Sequence, residues 1–444
     1  MQSLDDARFR GANIERLSWG ARVARLSARG LGAPRSGSIG LSRRQALASL
    51  GSAGITAALP RILTSARSEA LGPGNIPLAR PERPVALPLN AAPIRSGLAP
   101  ETGGTFRLYN YADYIDKKVV EEFGERYGVV TELSTFENMD EAITRMASSM
   151  ILPDVTNISH ERLVQAVVGK LLQPINLDYV PNLGTCVWPS LQSPFYDVGS
   201  RYTVPYVVYA TGIGWRSDRI SENIAAMDNP WSIFWRSGKY KGYVGILDDD
   251  RQALSLAMLY RGFYDINTED PVVIERALAD LRDLLLICNP KINESQAHTL
   301  PTGESWLHEA DSGDLLGAYL SDRPEGYDGS TLRFWSAPKG RGPVNNDCWA
   351  ILSAAKKPVL AHLWLNYLLD PSVAFNNFLY TGYQPPQVSL SAESLIERRI
   401  IPRNLQTTIF TSDAFGPGSQ HYATLTAKGN AMWQKAYARF LAGT

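Results

Sequence analysis

The stretch LYNYADYIDKKVVEEFGERYGVV, residues Leu108–Val130, predicts how this 444-residue chain begins to fold. Alternating side chains at its start predict a strand, and the spacing of the valines and aromatic residues that follow predicts a helix ending at Gly128. The turn between them carries Tyr111, Asp113 and Tyr114, although small residues would be enough to make a turn. Large and charged side chains on such a connection indicate a binding surface.

Strands and helices continue to alternate beyond this stretch. VVTELSTF is a second predicted strand, NMDEAITRMASSM a helix, PDVTNIS a third strand and ERLVQAVVGKLLQPI another helix. This alternation is typical of βαβ units around a parallel sheet, whose ligands bind beyond the carboxyl ends of the strands. The tyrosine-rich turn follows one such end, and Ser159 and Glu161 follow another, so we expect them at the same edge of the sheet.

A long β-rich run leads into a second region of the same type. RYTVPYVVYATGIGW, residues 201–215, predicts a strand that crosses from one domain into another. KGYVGILDDDRQALSLAMLYRG predicts a strand, an acidic edge at Asp249 and a helix, whereas DLLGAYLSD predicts a short buried strand. NNDCWAILSAAKK places Asp347 just before another strand, and PVLAHLWLNYLLDPSVAFNNFLYTGYQPP predicts two helices that lead to Tyr383.

The net charge of zero conceals two parts of opposite sign. Residues 1–104 contain 14 Arg, no Lys and 6 acidic residues, which leaves residues 105–444 with a net charge of −8. An acidic body argues against nucleic acid as a partner and is compatible with a cationic ligand. The same charge is also ordinary for solubility, so it does not select a ligand by itself.

The first 70 residues have the features of an export leader. Ser42, Arg43 and Arg44 precede a weakly apolar run from Ala46 to Leu59, which predicts a twin-arginine-like signal and a periplasmic or extracytoplasmic protein. The Arg-rich, acid-poor composition is also that of an organelle transit peptide. The apolar run is too short to span a bilayer.

Residues 71–104 contain seven prolines. On composition alone, the segment is an extended linker of partly polyproline type. Apolar residues recur along it, among them Ile76, Val85 and Leu87, so the alternative is that it lies along the surface of the domain.

Sequence motifs give no support for an enzyme. The five histidines form no HExxH pair, and the chain lacks a G-x-S-x-G elbow, a P-loop and a Gly-rich dinucleotide turn. The three cysteines, Cys186, Cys288 and Cys348, have no metal-binding spacing, and we expect them to be small buried side chains, with one disulfide left open. We therefore predict no catalytic residues, no metal and no cofactor.

Five segments, in order, resemble the spermidine/putrescine-binding proteins, the solute-binding subunits of bacterial polyamine importers of the ABC type. They are LYNYADYI, YTVPYVVYATGIGW, KYKGYVGILDDDRQAL, NNDCWAI and LWLNYLLDPSVAFNNFLYTGYQPPQ, and the resemblance covers roughly residues 75–444. It implies an α/β fold of the type II periplasmic binding protein class, in which two lobes joined by crossing strands close around the ligand.

Carried onto this chain, the resemblance implies boundaries and partners. Lobe 1 would comprise residues 105–209 and 346–392, and lobe 2 residues 210–345 and 393–444, with the hinge near Gly212. It also implies a monomer, a polyamine-like ligand and the permease subunits of an ABC importer as partners.

The resemblance also implies a set of ligand-binding residues. The positions that match the family are Tyr111, Asp113, Tyr114, Ser159, Asp249, Asp347 and Tyr383. Glu161 stands where the family often has Tyr, and Gln252 where it has an acid. Two tryptophans of the family correspond to Leu320 and Asn345, for which Tyr319 or Trp349 could compensate.

The chemistry of a polyamine fits this set of side chains. Carboxylates accept hydrogen bonds from its ammonium groups, and aromatic faces cover its methylene groups and attract the cation. For Asp113 and Asp249 the alternative is a structural role, because acids at helix starts interact favourably with the helix dipole. The acids that match the family are present here, but its tryptophans are replaced. The alternatives to a polyamine-binding protein are therefore a binding protein for another solute, such as thiamine, a metal or another amine, and a chemosensory binding subunit.

Overall fold

The computed structural model describes residues 71–321 and 324–443, so the twin-arginine-like leader predicted for residues 1–70 lies outside the described residues. The strands are β1 (Thr105–Tyr111), β2 (Val130–Phe136), β3 (Val155–Ser159), β4 (Thr203–Arg216), β5 (Val244–Ile246), β6 (Lys291–Ile292), β7 (Leu307–Asp311), β8 (Leu332–Trp335) and β9 (Val344–Ile351). The α-helices are α1 (Lys117–Tyr127), α2 (Met139–Ala147), α3 (Leu163–Val168), α4 (Pro181–Cys186), α5 (Asp250–Tyr260), α6 (Pro271–Cys288), α7 (Gln296–Thr302), α8 (Ser312–Leu320), α9 (Pro358–Leu368), α10 (Pro371–Thr381), α11 (Ala392–Glu397) and α12 (Ala427–Leu441).

The first strand and helix form for the reasons that the sequence indicates. The Asp116 side chain accepts a hydrogen bond from the backbone N–H of Lys118 and so caps α1, and Gly128 ends the helix with a φ of 64°. Val119, Val120 and Phe123 are buried on one face of this helix. The predicted strand and helix of the opening stretch are therefore confirmed.

One sheet runs through the whole described body in the order β2-β1-β3-β9-β4-β7-β5-β6, and β8 pairs with β4. The predicted parallel pairing holds for β1 with β2 and β3, and for β5 with β6 and β7, while β9 runs antiparallel to β3 and β4. The sheet is therefore mixed. Asp347 lies inside β9, three residues after the strand begins, and not before the strand as predicted.

Strand β4 belongs to both halves of this sheet. Residues 203–210 pair with β9, and residues 211–216 pair with β7 and β8. At Gly212, a Cβ would overlap the carbonyl oxygen of Trp335 on β8, so only glycine allows this approach of the backbones. The two halves of the sheet thus meet near residues 210 and 211.

Separate hydrophobic clusters cover the two halves. Phe106, Phe123 and Trp364 belong to the cluster on one face of the first half, and Tyr109 and Leu87 to the cluster on the other face. The second half has its own clusters, one around α5, α6 and α12 and one around α8 and β8. Each half of the sheet therefore has an apolar core of its own.

The Pro-rich segment 71–104 packs along the body and is not a free tether. Leu87 is 0% exposed, and its carbonyl accepts a hydrogen bond of 2.6 Å from the Arg201 guanidinium. The backbone N–H of Val85 donates to the carbonyl of Phe195 at 2.7 Å, and Arg80 donates to the carbonyl of Thr424. The spaced apolar side chains explain this outcome, because their burial holds the segment against the body.

The run DLLGAYLSD is not a strand, because most of it forms α8. A short apolar run fits a buried strand and a buried helix equally well, and the preceding residues 307–311 take the strand position as β7. Helix α8 packs against α10 so closely that a Cβ at Gly382 would overlap the backbone of Gly317. Helix α10, although assigned by sequence to the first lobe, therefore contacts the second half of the body.

Among residues 71–321 and 324–443, no helix combines the length and the apolar character needed to cross a membrane. All three cysteines are free. Cys288 and Cys348 are buried as predicted, and Cys186 is partly exposed.

Candidate functional site

The predicted site residues of the first half converge where β3 and β9 lie side by side. Ser159 and Asp347 are paired directly across these strands, and the Tyr114 hydroxyl donates a hydrogen bond of 2.9 Å to Asp347 Oδ2. The Tyr114 ring contacts Tyr111 and Tyr383 edge to face, with centroids 5.7 and 4.8 Å apart. A buried acid is thus surrounded by three tyrosines.

Asp347 is 6% exposed, and burial is the main influence on its proton. Burial, and after it the charge of Glu161, raises the pKa of Asp347 to about 8, although the hydrogen bond from Tyr114 favours the ionised form. The Ser159 hydroxyl opposite is also buried and has no hydrogen-bond partner among the described residues. This part of the site therefore has an acid and a hydroxyl with bonding capacity to spare.

Glu161 differs from Asp347 in its electrostatic surroundings. Burial opposes its ionisation, but the charges of His160 and Arg162, together with hydrogen bonding, hold the pKa of Glu161 below its usual value. Arg162 also pairs with Asp140 at 2.8 Å. Glu161 is thus an ionised carboxylate with a basic neighbour.

Asp249 approaches these residues from the second half of the body. Its side chain accepts hydrogen bonds from the backbone N–H groups of Arg251 and Gln252 and so caps α5, which is the structural role that the sequence left open. Burial raises the pKa of Asp249; the bond from Gln252 and the charge of Arg162 oppose this, and Glu161 reinforces it. The influence of Glu161 and Arg162 shows that the two halves of the body approach each other here.

Gln252, which stands in place of a family acid, contacts another acid. Its side-chain amide donates to both carboxylate oxygens of Asp311 at 3.2 Å and to the Thr211 hydroxyl at 3.1 Å. Thr211 itself donates to Asp311 Oδ1 at 2.6 Å. Sequence reasoning missed Asp311, which ends β7, and Asp314, which lies in the first turn of α8.

These two acids are enclosed as well. Burial raises the pKa of Asp311 to about 6, although the bonds from Thr211 and Gln252 favour its ionised form. Burial, and after it the charge of Asp311, raises the pKa of Asp314 to about 7. The Tyr383 ring lies against Gly313, between these two acids in sequence, so closely that a Cβ there would overlap the ring.

The tyrosines of the cleft are neutral hydrogen-bond donors. Burial raises the pKa of Tyr111 well above its ordinary value, and the charges of Asp347, Glu161 and Asp249 add to this effect. Burial, and then the charges of Asp314 and Asp311, does the same for Tyr383.

Three of the predicted residues lie apart from this cluster. Asp113 is exposed, has a φ of 53°, and forms no hydrogen bond or ion pair with the described residues. Trp349 is 0% exposed, and its ring packs against Tyr206 and Trp364 in the apolar core, so it cannot take the place of a cleft tryptophan in this conformation. Tyr319 packs on the cluster around α8, beside Gly329.

The acids have few basic partners. Within residues 71–321 and 324–443, no Lys or Arg forms an ion pair with Asp347, Asp311 or Asp314. The guanidinium of Arg251 donates instead to Asn267 and to two backbone carbonyls, and lies over the ring of Trp433. Among the described residues, no three His, Cys, Asp or Glu side chains are grouped to hold a metal ion. What the cleft can do chemically is to accept hydrogen bonds from a cation.

Solved structures show what class of protein has this fold. The spermidine/putrescine ABC transporter substrate-binding protein of Streptococcus pneumoniae matches with a TM-score of 0.61 and 18% identity, over 77% of this chain and 99% of that chain. A putative spermidine/putrescine ABC transporter structure from Listeria monocytogenes matches with a TM-score of 0.64 and 18% identity, over 76% and 98% of the two chains. The protein therefore has the two-lobed type II fold of periplasmic binding proteins, as predicted.

Curated proteins of similar sequence fall within this class. The spermidine/putrescine-binding periplasmic protein of Escherichia coli is 26% identical over 310 residues, which is 68% of this chain and 82% of that protein. The putrescine/agmatine-binding protein of Pseudomonas aeruginosa is also 26% identical, over 66% of this chain and 80% of its own length. No family model matches the chain. The chain is thus similar to the spermidine/putrescine-binding periplasmic proteins over about two thirds of its length.

Proposed function

We propose that this protein is an extracytoplasmic solute-binding protein that captures a polyamine-like cation and delivers it to the permease of an ABC importer. The observation that carries the proposal is the set of enclosed carboxylates that form no ion pair with a basic side chain among the described residues, foremost Asp347. Burying an unpaired carboxylate costs several kcal/mol, so closure of the cleft is favoured when a ligand supplies the positive charge. No catalytic residue takes part in this function.

The arrangement of side chains supports an amine in particular. Asp347 and Asp249 accept hydrogen bonds from ammonium groups, and the buried hydroxyl of Ser159 adds a further acceptor beside Asp347. The rings of Tyr111, Tyr114 and Tyr383 cover the methylene groups between the ammonium ions, and each cation–ring contact in a desolvated site contributes ~2 kcal/mol. Several such contacts together support a dissociation constant in the micromolar range or below. Asp113 is left out of this set because its side chain is exposed.

The relatives support the remainder of the proposal. Those from Escherichia coli and Salmonella are named as periplasmic proteins that bind spermidine and putrescine, and one from Pseudomonas aeruginosa as binding putrescine and agmatine. We propose accordingly that the chain is exported, through the twin-arginine route that Arg43 and Arg44 indicate, and that it acts as a monomer with membrane permease subunits as its partners. We also propose that the lobes divide where β4 passes from β9 to β7.

A thermal-shift panel on the full chain tests the proposal. The amines are putrescine, cadaverine, spermidine, spermine, agmatine and choline, and the comparison ligands are amino acids, thiamine and ferric citrate. An amine present at 100 times its dissociation constant should stabilise the folded state by about 2.7 kcal/mol and raise Tm by a few degrees. A shift with thiamine or ferric citrate and with none of the amines would overturn the proposal.

A further inference from the structure

Tyr209 lies on β4, the strand that both halves of the sheet share, next to the point where its pairing passes from β9 to β7. Two residues before Tyr209, Val207 pairs directly with Asp347 on β9. Two residues after it, Thr211 pairs directly with Asp311 on β7. Side chains two positions apart on a strand point to the same face of the sheet. Tyr209 therefore lies midway between the partners of two site acids, one from each half of the body.

The ring of Tyr209 joins the tyrosines of the cleft. The side chain is partly exposed, and its ring contacts Tyr383 edge to face, with centroids 5.6 Å apart. The backbone supports this contact, because the N–H of Val208 donates to the carbonyl of Gln384 at 2.7 Å and so brings the residues beside them together. Tyr209 thus adds a fourth ring to the three that surround Asp347.

The strand next to Tyr209 contributes no ring at this level of the sheet. Tyr209 pairs directly with Asn345 on β9. The Asn345 side chain is short, lies in a residue that is 2% exposed, and accepts a hydrogen bond of 3.0 Å from the backbone N–H of Tyr422. The aromatic surface between the two halves is therefore supplied here by β4.

The hydroxyl of Tyr209 lies near acids of both halves. Burial raises the pKa of Tyr209 well above its ordinary value, and the charges of Asp347, Asp311 and Glu161 add to this effect. The hydroxyl is therefore neutral. It has no hydrogen-bond partner among residues 71–321 and 324–443, so its capacity to donate and to accept is not used within the protein.

We infer that Tyr209 is a ligand-contact residue, whose hydroxyl accepts a hydrogen bond from an ammonium group held between the two halves and whose ring covers the adjoining methylene groups. This inference rests on the proposed function and adds a residue of the crossing strand to its site. A neutral hydroxyl suits this place, because it can donate to a carboxylate and accept from an ammonium group at the same time. Because β4 belongs to both halves, Tyr209 offers this contact to an amine held by either of them.

Isothermal titration calorimetry with spermidine at pH 8 tests the inference on the full chain. Tyr209→Phe removes only the hydroxyl and should weaken binding by ~10- to 100-fold, because hydrogen bonds to charged groups are strong. Tyr209→Leu also removes the ring face that attracts a cation and should weaken binding by a further ~3-fold or more. The Tm of ligand-free Tyr209→Phe should equal that of the wild type, because the lost hydroxyl has no partner in the folded protein.

Tyr243→Phe is the matched control. Tyr243 is 41% exposed and stacks on Trp306 with ring centroids 4.0 Å apart. It directly precedes β5 and so lies at the amino end of that strand, whereas ligands of such sheets bind beyond the carboxyl ends. Loss of this hydroxyl should leave the Kd for spermidine unchanged.

The outcomes distinguish this inference from the function on which it rests. Equal spermidine affinity of the wild type and a folded Tyr209→Phe protein overturns the inference and leaves the proposed function standing. A crystal structure of the wild type with spermidine tests the inference without any variant. We expect a nitrogen of spermidine at about 2.7–3.2 Å from Tyr209 Oη, and a complex with no nitrogen at this distance overturns the inference. Binding of no amine by the wild type overturns the proposed function itself.

Discussion

Replacing Asp347 by Asn should change ligand affinity and stability in opposite directions. Asparagine keeps the size of the side chain and an oxygen that can accept the hydrogen bond from Tyr114, so it removes little except the charge. The lost charged hydrogen bond, and an ammonium left without a counter-charge in an enclosed site, should weaken amine binding by about 2–3 kcal/mol, or roughly 30- to 150-fold in Kd.

The ligand-free protein should gain stability from the same substitution. Burial raises the pKa of Asp347 to about 8, so its ionisation opposes folding at alkaline pH, and asparagine has no charge to bury. A gain of 1 kcal/mol raises Tm by about 2 °C in a protein of this size. Calorimetric titration with spermidine and thermal melts of the free protein, both at pH 8, measure the two effects. If neither Kd nor Tm differs between wild type and variant, Asp347 is not a ligand-binding acid.

Three further predictions concern pH, the crossing strand and the Pro-rich segment. The raised pKa values of Asp347, Asp311 and Asp314 mean that the folded state holds protons that the unfolded state has released, so the stability of the free protein should fall from about pH 4 to pH 8 as these acids ionise. Amine binding should tighten over the upper part of this range. Thermal melts and Kd values measured at pH 5–8.5 would contradict this prediction if neither changed with pH. Gly212→Ala should destabilise the fold by about 1–3 kcal/mol because its Cβ overlaps β8, and an unchanged denaturation midpoint would refute the close approach. Leu87→Ala should cost about 2–5 kcal/mol, as for other buried leucines, whereas a free tether would tolerate the change without loss.

The periodic parts of the fold could be predicted from the sequence because their patterns are long and their caps are explicit. Helix α1 has both an apolar face and a terminal glycine, and α2 begins at Asn138, whose side chain accepts hydrogen bonds from two backbone N–H groups. The run that forms α8 is shorter, and its composition fits a strand as well as a helix. Only its position directly after β7 shows that it is a helix.

The Pro-rich segment was ambiguous for a different physical reason. Its prolines favour an extended backbone whether or not the segment packs, so composition cannot distinguish a free linker from a segment that packs on the body. The decision depends on the surface that receives Val85 and Leu87, and that surface exists only after the body has folded.

The site was predictable where the resemblance supplied a pattern and was missed where this chain departs from it. Ser159 and Tyr114 could be placed together because strand ends meet at one edge of the sheet, whereas Asp347 was assigned to the site by the resemblance alone. Asp311 and Asp314 belong to a buried strand with the unusual sequence LHEAD and to the helix that follows it. No hydrophobic period marks such residues as cleft residues, and the only available signal was two acids close to a buried strand.

The exposure of Asp113 shows why spacing alone does not locate a binding residue. Tyr111, Asp113 and Tyr114 lie within four positions, yet the two rings contact each other in the cleft while the carboxylate between them is exposed to solvent. The φ of 53° at Asp113 lies in the left-handed region, so the side-chain alternation expected of a regular strand does not extend through this residue.

The most direct test of the account is a calorimetric titration of the full, ligand-free chain with spermidine at pH 8. We predict saturable binding of one spermidine per chain, with a Kd in the micromolar range or below, as several desolvated cation contacts support. Absence of binding to spermidine, spermine and putrescine by a folded protein would contradict the claim that the enclosed carboxylates receive a polyamine.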